Sequence, residues 1–355
     1  MSVQVSVSNK KKVLLITVLT AMALVISACQ SKQASIPELD ITANEYTFEN
    51  PAEIEAGMTY IKLENQGEEI HHVQLLRIND DVTMDQFQAA LQQGPEAALP
   101  LVTLHGGVGL LPPGGSGRVL VDLPEGQYTL ACFVPDDEDG LPHLAKGMLT
   151  PMKVVASSSS ASVQAPISDA EVTLKDFNFV LPEEIKSGKQ IWKITNDGPQ
   201  PHEMILLKLV DNMTAADVGA WMESMEGPPP FEPIGGMQGL NSGDSGYVEL
   251  DLGPGNYLAA CDIWRSAAVD PLPGRAESGS THQPQSGLRA HCSAAYRICV
   301  GRGPRDRCDQ RRCRDSGVDR RAFPRMVSRA AARRFDRSGQ RWWRSSMAGV
   351  AGHLH

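Results

Sequence analysis

The feature that most constrains the fold of this chain is an internal repeat. Residues 65–77, NQGEEIHHVQLLR, match residues 196–208, NDGPQPHEMILLK, at an offset of 131. Residues 126–132, GQYTLAC, match residues 255–261, GNYLAAC, at an offset of 129. The serine-rich segment 157–168 between the copies has the composition of a flexible linker. The sequence therefore predicts two tandem copies of one domain.

Each copy reads mainly as short strands. Apolar runs of strand length are bounded by glycine and proline, which favours an all-β fold of two tandem Greek-key β-sandwiches. Thr83 with Gln86 has the spacing of a helix-capping box, and Thr214 is followed by Asp217 at the same spacing. One short inserted helix is therefore expected in each sandwich.

The domain boundaries follow from where the repeat starts and stops. The first domain is predicted at 39–156, and the second at 169–263. Because the match between the copies ends at Ile263, the second sandwich is expected to be incomplete and to lack its final strand.

The charge distribution separates the tail, residues 264–355, from the rest of the chain. The net charge of −9 combines −21 for residues 1–263 with +12 for the tail, in which every basic residue is arginine. The acidic body is a poor candidate for a general nucleic-acid binder. The tail is predicted to be disordered or translated out of frame; a basic arm that binds nucleic acid or lipid is the alternative.

The first thirty residues have the pattern of an export signal. Three lysines precede the apolar run 13–26, which is shorter than a comfortable membrane span. The run ends in Ile-Ser-Ala-Cys, which resembles a bacterial lipobox with Cys29 as the lipidated residue. We therefore expect a signal peptide at 1–29 and a tether at 30–38. The mature protein is expected to be exported and lipid-anchored at the cell envelope, on the periplasmic side or the cell surface.

One segment carries a spacing typical of metal ligands. Cys132 is followed after ten residues by His143, and His143 after four residues by Met148. His71 lies upstream on another predicted strand. Two imidazoles, a thiolate and a weak axial thioether suit a metal that cycles between Cu(I) and Cu(II).

These residues resemble the cupredoxins, the blue or type 1 copper family that includes plastocyanin and azurin. The resemblance rests on an Asn-x-Gly turn before His71 and on the Cys-His-Met loop, and covers one full domain and most of a second. It implies a cupredoxin-like sandwich in which His71, Cys132, His143 and Met148 bind one copper ion. It also implies single-electron transfer, with His143 as the exit for the electron.

Neighbouring residues offer alternative ligands. His71 is preferred over His72 because the repeat aligns His71 with His202, and because His72 would share a strand face with polar Gln74 at a solvated rim. His105 is interpreted as a loop residue. Met152 breaks the spacing from His143 that Met148 keeps.

The cysteines separate the copper interpretation from a structural one. Cys132 read alone is a small buried hydrophobic residue. A free thiol in an exported protein is better explained by metal ligation, because disulfides are usual outside the cytoplasm. In the second copy only His202 and Cys261 match ligands, so its copper site is predicted to be absent.

Three further functions are weighed against electron transfer. The first is copper scavenging or delivery, and the second is a copper-free cupredoxin-like binding module. The third is a multicopper oxidase or nitrite-reductase-like enzyme, which is disfavoured because such enzymes need extra histidines, often as His-x-His pairs. Residues 39–263 contain no such pair. The expected partners are redox proteins at the outer face of the membrane, attracted through basic patches to the acidic body.

Overall fold

The computed structural model describes residues 35–158, 163–176, 178–224, 227–261 and 294–301. The chain forms two compact units, of which the first comprises Met1–Ser35 with Ser159–Gln164 and the second Ile36–Ser158 with Ala165–His355. All elements given below belong to the second unit. The predicted signal peptide, the predicted lipidation site Cys29, most of the tether and most of the tail lie outside the described residues.

The first repeat contains ten strands, and several of them, such as Glu38–Asn44 and Gly57–Asn65, alternate between buried and more exposed residues. Strands β1 to β10 are Glu38–Asn44, Thr47–Glu49, Glu53–Glu55, Gly57–Asn65, Gln74–Ile78, Val102–Leu104, Val108–Leu110, Ser116–Leu123, Gly126–Ala131 and Leu149–Val155.

The second repeat contains the equivalent strands. Strands β11 to β18 are Ala170–Lys175, Asn178–Val180, Ile185–Lys186, Gly188–Asn196, His202–Leu209, Phe231–Leu240, Ser245–Leu252 and Gly255–Cys261. A further strand, β19, is formed by Ala294–Gly301.

The two repeats have the same strand order. In the first, one sheet runs β2-β1-β4-β8 and the other runs β3-β10-β9-β5-β6. In the second, the corresponding orders are β12-β11-β14-β17 and β13-β19-β18-β15-β16. Even the parallel pairing of β1 with β4 recurs between β11 and β14. The prediction of two tandem all-β sandwiches is confirmed by this arrangement.

The sandwiches share a sheet instead of being separate bodies. Strand β8 pairs with β17 through Leu120 and Tyr247, so the two four-stranded sheets form one sheet of eight strands. A second contact pairs β7 with β16, where Val108 lies opposite Met237. These pairings satisfy backbone groups at strand edges that would otherwise be open.

The end of the second sandwich corrects a prediction. Strand β19 pairs antiparallel with β18 and parallel with β13, as β10 does with β9 and β3. Residues 294–301 therefore occupy the edge that the sequence repeat left without a strand, and the second sandwich is not truncated there. The physical reason is that an open edge beside β18 accepts any extended segment that supplies backbone donors and acceptors.

The helices lie where the capping residues predict them. Helix α1 is Met84–Leu91, and the Thr83 side chain and Gln86 form both bonds of a capping box. A short helix α2, Pro95–Ala98, follows. Helix α3 is Ala215–Ser224, preceded by Thr214. In the part of the chain that is described, no helix combines the length and apolarity needed to cross a membrane.

The core lies between the sheets of each repeat and continues from one repeat to the other. It consists of inward-facing strand residues, among them Ile61, Leu63, Leu75, Leu130, Trp192, Ile194, Leu206 and Ala259. Burying one large apolar side chain of this kind contributes roughly 1.5–3 kcal/mol.

Two equivalent glycines allow strands to approach closely within each repeat. Gly107 has φ +138°, and a Cβ atom there would lie 2.0 Å from the carbonyl oxygen of Val73. Gly236 has φ +124°, and a Cβ atom there would lie 2.0 Å from the carbonyl oxygen of Met204. Only glycine fits either position, and Val73 lies two residues after His71.

Candidate metal centre

The turn after β4 places His71. Asn65 is buried, and its side-chain amide donates to the carbonyl oxygens of Glu69 (2.8 Å) and Leu111 (3.0 Å). Its Oδ1 accepts from the Gly67 N–H at 3.0 Å. His71 then exchanges two main-chain hydrogen bonds with Leu111, at 3.1 and 2.8 Å. The turn is thus fixed from within, and His71 is fully buried.

Cys132 directly follows the central strand β9, and this strand fixes its position. Its N–H donates to the Met148 carbonyl (3.3 Å), and its carbonyl accepts from the Leu144 N–H (2.8 Å). Both partners belong to the loop that follows. The thiol is fully buried.

Asp136 organises the loop from Cys132 to Met148. The carboxylate is buried, and its Oδ1 accepts from the main-chain N–H groups of Glu138 (2.9 Å) and Asp139 (3.0 Å). Its Oδ2 contacts Lys146 Nζ at 2.6 Å and also accepts from the Tyr46 hydroxyl. Although burial acts to raise the pKa of Asp136, these hydrogen bonds hold it well below its usual range. The buried Asp136 carboxylate therefore fixes the conformation of the loop.

His143 begins a 3-10 turn that brings its ring back over Cys132. Its N–H donates to the Val134 carbonyl at 2.8 Å, and its carbonyl accepts from the Met148 N–H at 3.0 Å. Gly147 has φ +116° and ends the turn. The ring of Tyr46 contacts the imidazole edge-on, with centroids 5.3 Å apart.

Three donor atoms meet at one buried point. The Cys132 Sγ lies 3.6 Å from His143 Nδ1 and 3.9 Å from His71 Nδ1. The two Nδ1 atoms are 3.0 Å apart. All three side chains have 0% exposure, and their ligand atoms lie within 4.8 Å of one another. The structure thus brings together three of the four side chains that the sequence selects.

Met148, the fourth, lies beside the centre. It is fully buried and belongs to the same apolar cluster as Cys132. Its main chain is tied to both Cys132 and His143 by the hydrogen bonds given above. Met152, the alternative, lies within β10 and packs into the same cluster.

The protonation of the donors follows from their burial. Burial, and then the nearby His143, lowers the pKa of His71 to about 4. Burial likewise lowers the pKa of His143 and raises the pKa of the Cys132 thiol to about 12. At neutral pH both imidazoles are therefore neutral, and a bound cation would have to displace the thiol proton.

The residues fit a soft or borderline metal ion. Two neutral imidazole nitrogens 3.0 Å apart repel unless a proton or a cation lies between them. Two imidazoles and one thiolate, with a thioether nearby, are a donor set that copper favours.

A carboxylate lies behind each histidine of the centre. Glu69 Oε2 is 2.9 Å from His143 Nε2, and Glu45 Oε1 is 3.8 Å from His71 Nε2. Glu45 is held by the main-chain N–H groups of Glu68 and Glu69. Sequence reasoning missed both glutamates. The repeat offered a signal for Glu45, because Asp176 lies at the equivalent position.

Two other histidines lie away from the three donor atoms. The expectation that His72 sits at a solvated rim is corrected, because His72 is only 4% exposed. Its Nε2 accepts from the Phe133 N–H at 2.9 Å, and its ring stacks on Phe133, so packing outweighs its polar neighbour Gln74. His105 forms a bridge with Leu240 of the second repeat and is not part of the centre.

His143, the expected electron exit, has a completely buried ring, with Glu69 against Nε2 and Tyr46 against its edge. Leu144, one of the apolar residues expected near it, is 1% exposed. The loop folds inward because Cys132 and Val134 bind its main chain.

Among the described residues, the second repeat retains half of the centre. Cys261 Sγ lies 3.8 Å from His202 Nδ1, and both residues are buried. Asp176 Oδ1 lies 2.9 Å from His202 Nε2. This pair matches His71 and Cys132 in position and orientation.

Comparisons with known proteins give matches to solved structures only. No protein-family model matches the chain, and no curated protein sequence matches it.

The structural matches include copper proteins of two kinds. A sodium-dithionite-reduced auracyanin from Roseiflexus castenholzii is 22% identical, with a TM-score of 0.23, over 34% of this chain and 98% of its own. Auracyanin A from Chloroflexus aurantiacus, described as a "blue" copper protein, is 21% identical, with a TM-score of 0.24, over 34% of this chain and 100% of its own. A multicopper oxidase is 14% identical, with a TM-score of 0.21, over 63% of this chain and 82% of its own.

Proposed function

We propose that the first repeat binds one copper ion through His71, Cys132, His143 and Met148 and transfers single electrons. The observation that carries this proposal is the meeting of two imidazole nitrogens and one thiol sulfur at a single, fully buried point. Copper bound there would supply a Cu(II)/Cu(I) couple, because soft sulfur favours Cu(I) and imidazole tolerates Cu(II).

The protein would contribute a rigid surrounding. Asn65 fixes the segment that carries His71, and Asp136 fixes the loop that carries His143. Strand β9, in the middle of its sheet, fixes Cys132. Because these supports do not depend on the metal, the donors would be held in place in both oxidation states.

Copper delivery and a copper-free binding module are the alternatives that use the same fold. Delivery needs a site from which the metal can leave, whereas these donors have 0% exposure. That burial favours a resident ion.

An oxidase would need additional metal sites. In the part of the chain that is described, the second group of converging ligands is Glu69, Asp136 and His143, which shares His143 with the first. This favours a carrier with one copper ion over a multicopper enzyme.

The location and the partners complete the proposal. A lipid anchor at Cys29 would confine the carrier to the outer face of a membrane, near membrane-bound or exported redox proteins. The net charge of −21 over residues 1–263 would favour partners with basic patches, and it makes docking sensitive to salt.

The test is visible absorption of the purified full chain after addition of Cu(II). An intense thiolate-to-copper band is expected, and it should be lost in Cys132→Ser and in His143→Ala. Cys261→Ser and His202→Ala are the matched controls and should keep the band. Absence of the band in the unaltered protein would favour the copper-free module.

A slow loss of copper to a chelator would separate a carrier from a delivery protein. We expect the ion to stay bound for hours with excess chelator, because all three donor side chains are buried. Exchange within seconds would instead support delivery.

A further inference from the structure

The far nitrogen of His143 faces a carboxylate. Glu69 Oε2 lies 2.9 Å from His143 Nε2, at hydrogen-bond distance. An ionised carboxylate only accepts hydrogen bonds, so Nε2 must carry the proton. In a neutral imidazole the lone pair then lies on Nδ1, which is the atom nearest Cys132 Sγ and His71 Nδ1.

Glu69 is itself fixed in place. Its main-chain carbonyl accepts from the Asn65 side chain at 2.8 Å, and its N–H donates to Glu45. The Asp137 main chain donates to its carboxylate. The side chain is 18% exposed, so the carboxylate is partly shielded from water, and its orientation does not depend on a metal.

The second repeat supplies an independent comparison. The position equivalent to Glu69 is Gln200, and that repeat has no described counterpart of His143. By contrast, a carboxylate behind the other histidine occurs in both repeats, as Glu45 and Asp176. Among the described residues, a carboxylate at this position therefore occurs in the repeat that has the second imidazole donor.

We propose that Glu69 is a positioning residue that keeps the proton of His143 on Nε2 and so presents Nδ1 to the metal. This inference rests on the proposed copper function for its purpose, although the contact exists without copper. A carboxylate behind a ligating imidazole fixes the tautomer and the ring and makes the ligand more basic, and losing such a partner typically costs about 10- to 100-fold in metal affinity.

The first measurement uses the copper-free full chain at neutral pH, with nitrogen-15 NMR of the imidazoles. In the unaltered protein His143 should be the Nε2–H tautomer. Glu69→Ala should convert a measurable share of His143 to the Nδ1–H tautomer, whereas Glu69→Gln should keep the original tautomer, because the amide oxygen still accepts. Gln200→Ala is the matched control and should change nothing at His143. An unchanged tautomer in a folded Glu69→Ala protein would overturn the proposal.

The second measurement is Cu(II) affinity by competition with a chelator. Glu69→Ala should bind Cu(II) about 10- to 100-fold more weakly, with Glu69→Gln between it and the unaltered protein. Equal affinity in all three proteins would overturn the proposal. If the unaltered protein binds no Cu(II), the proposed function fails, but the tautomer measurement still decides the role of Glu69. If Glu69→Ala does not fold, Glu69→Leu takes its place in both measurements with the same expected results, because leucine likewise offers no acceptor to His143 Nε2.

Discussion

The two repeats build the same half of a metal centre, and within the described part of the chain only the first completes it. His71 with Cys132 and His202 with Cys261 occupy equivalent positions, and their nitrogen–sulfur distances are 3.9 and 3.8 Å. In the first repeat a further loop returns His143 to the same point. The backbone common to both repeats therefore sets a pair of donors, and in the first repeat the loop after β9 adds the third.

The supports of the pair are duplicated as well. Asn196 donates to the carbonyls of Gln200 and Leu240, both at 2.9 Å, as Asn65 does to Glu69 and Leu111. The loop supports, Asp136 and Lys146, belong to the first repeat. One copy of a domain can thus keep the hydrogen bonds that position a donor pair, while the supports of the third donor are found in the other copy.

The sharpest test of this comparison replaces the two thiols in turn. Cys132→Ser should abolish the thiolate-to-copper band completely, because the band requires a copper–sulfur bond. Cys261→Ser should leave its intensity unchanged, because among the described residues no group of three ligands includes Cys261. Visible absorption and electron paramagnetic resonance measure both. A loss of band in Cys261→Ser would show that the second repeat holds the ion.

The shared sheet predicts that the repeats unfold together. Trp192 and Ile61 are equivalent and fully buried. Trp192→Ala should cost about 3–5 kcal/mol and Ile61→Ala about 2–5 kcal/mol in the free energy of unfolding. Because β8 pairs with β17, each variant should shift one common transition in denaturant. Two separate transitions, with only one shifted, would contradict a joined core.

The paired asparagines separate stability from copper binding. Asn65→Ala and Asn196→Ala each remove two donated hydrogen bonds, one of them buried, at a cost of about 1–3 kcal/mol. Only Asn65→Ala should also weaken the copper band, because the turn that it fixes leads to His71. Denaturant titration and absorption on the same samples measure the two effects. An equal effect of both variants on the band would count against this division.

The smallest expected effect is at the helix caps. Thr83→Ala and Thr214→Ala should each cost about 0.5–2 kcal/mol, because each removes the side chain that caps the helix start. Neither should alter copper binding, since neither helix carries a donor. Thermal unfolding and absorption check this, and a changed band in Thr83→Ala would show that α1 supports the centre.

Much of the fold was accessible from local patterns. The repeat predicted two like sandwiches, and the strand orders agree. The Thr83 and Thr214 caps predicted helices that begin at Met84 and Ala215. Local spacing succeeds here because caps and strand alternation depend on residues a few positions apart.

The metal centre could be predicted from the sequence only in part. The spacing of Cys132 and His143, with His71 upstream, singled out the three donors that converge. The residues that support the donors could not be predicted, because Glu69 and Tyr46 contact His143 from distant segments. His72 shows the same limit, since its ring packs on Phe133, which is 61 residues away in the sequence.

The sequence by itself determined the domain copies, their strands and the residue types offered to a metal. Tertiary structure alone decided that the copies share one eight-stranded sheet, that residues 294–301 complete the second sandwich and that carboxylates lie behind the histidines. The physical reason is that periodicity and capping act along neighbouring residues. Edge pairing and burial instead depend on which distant segments meet, and the core selects those contacts as a whole.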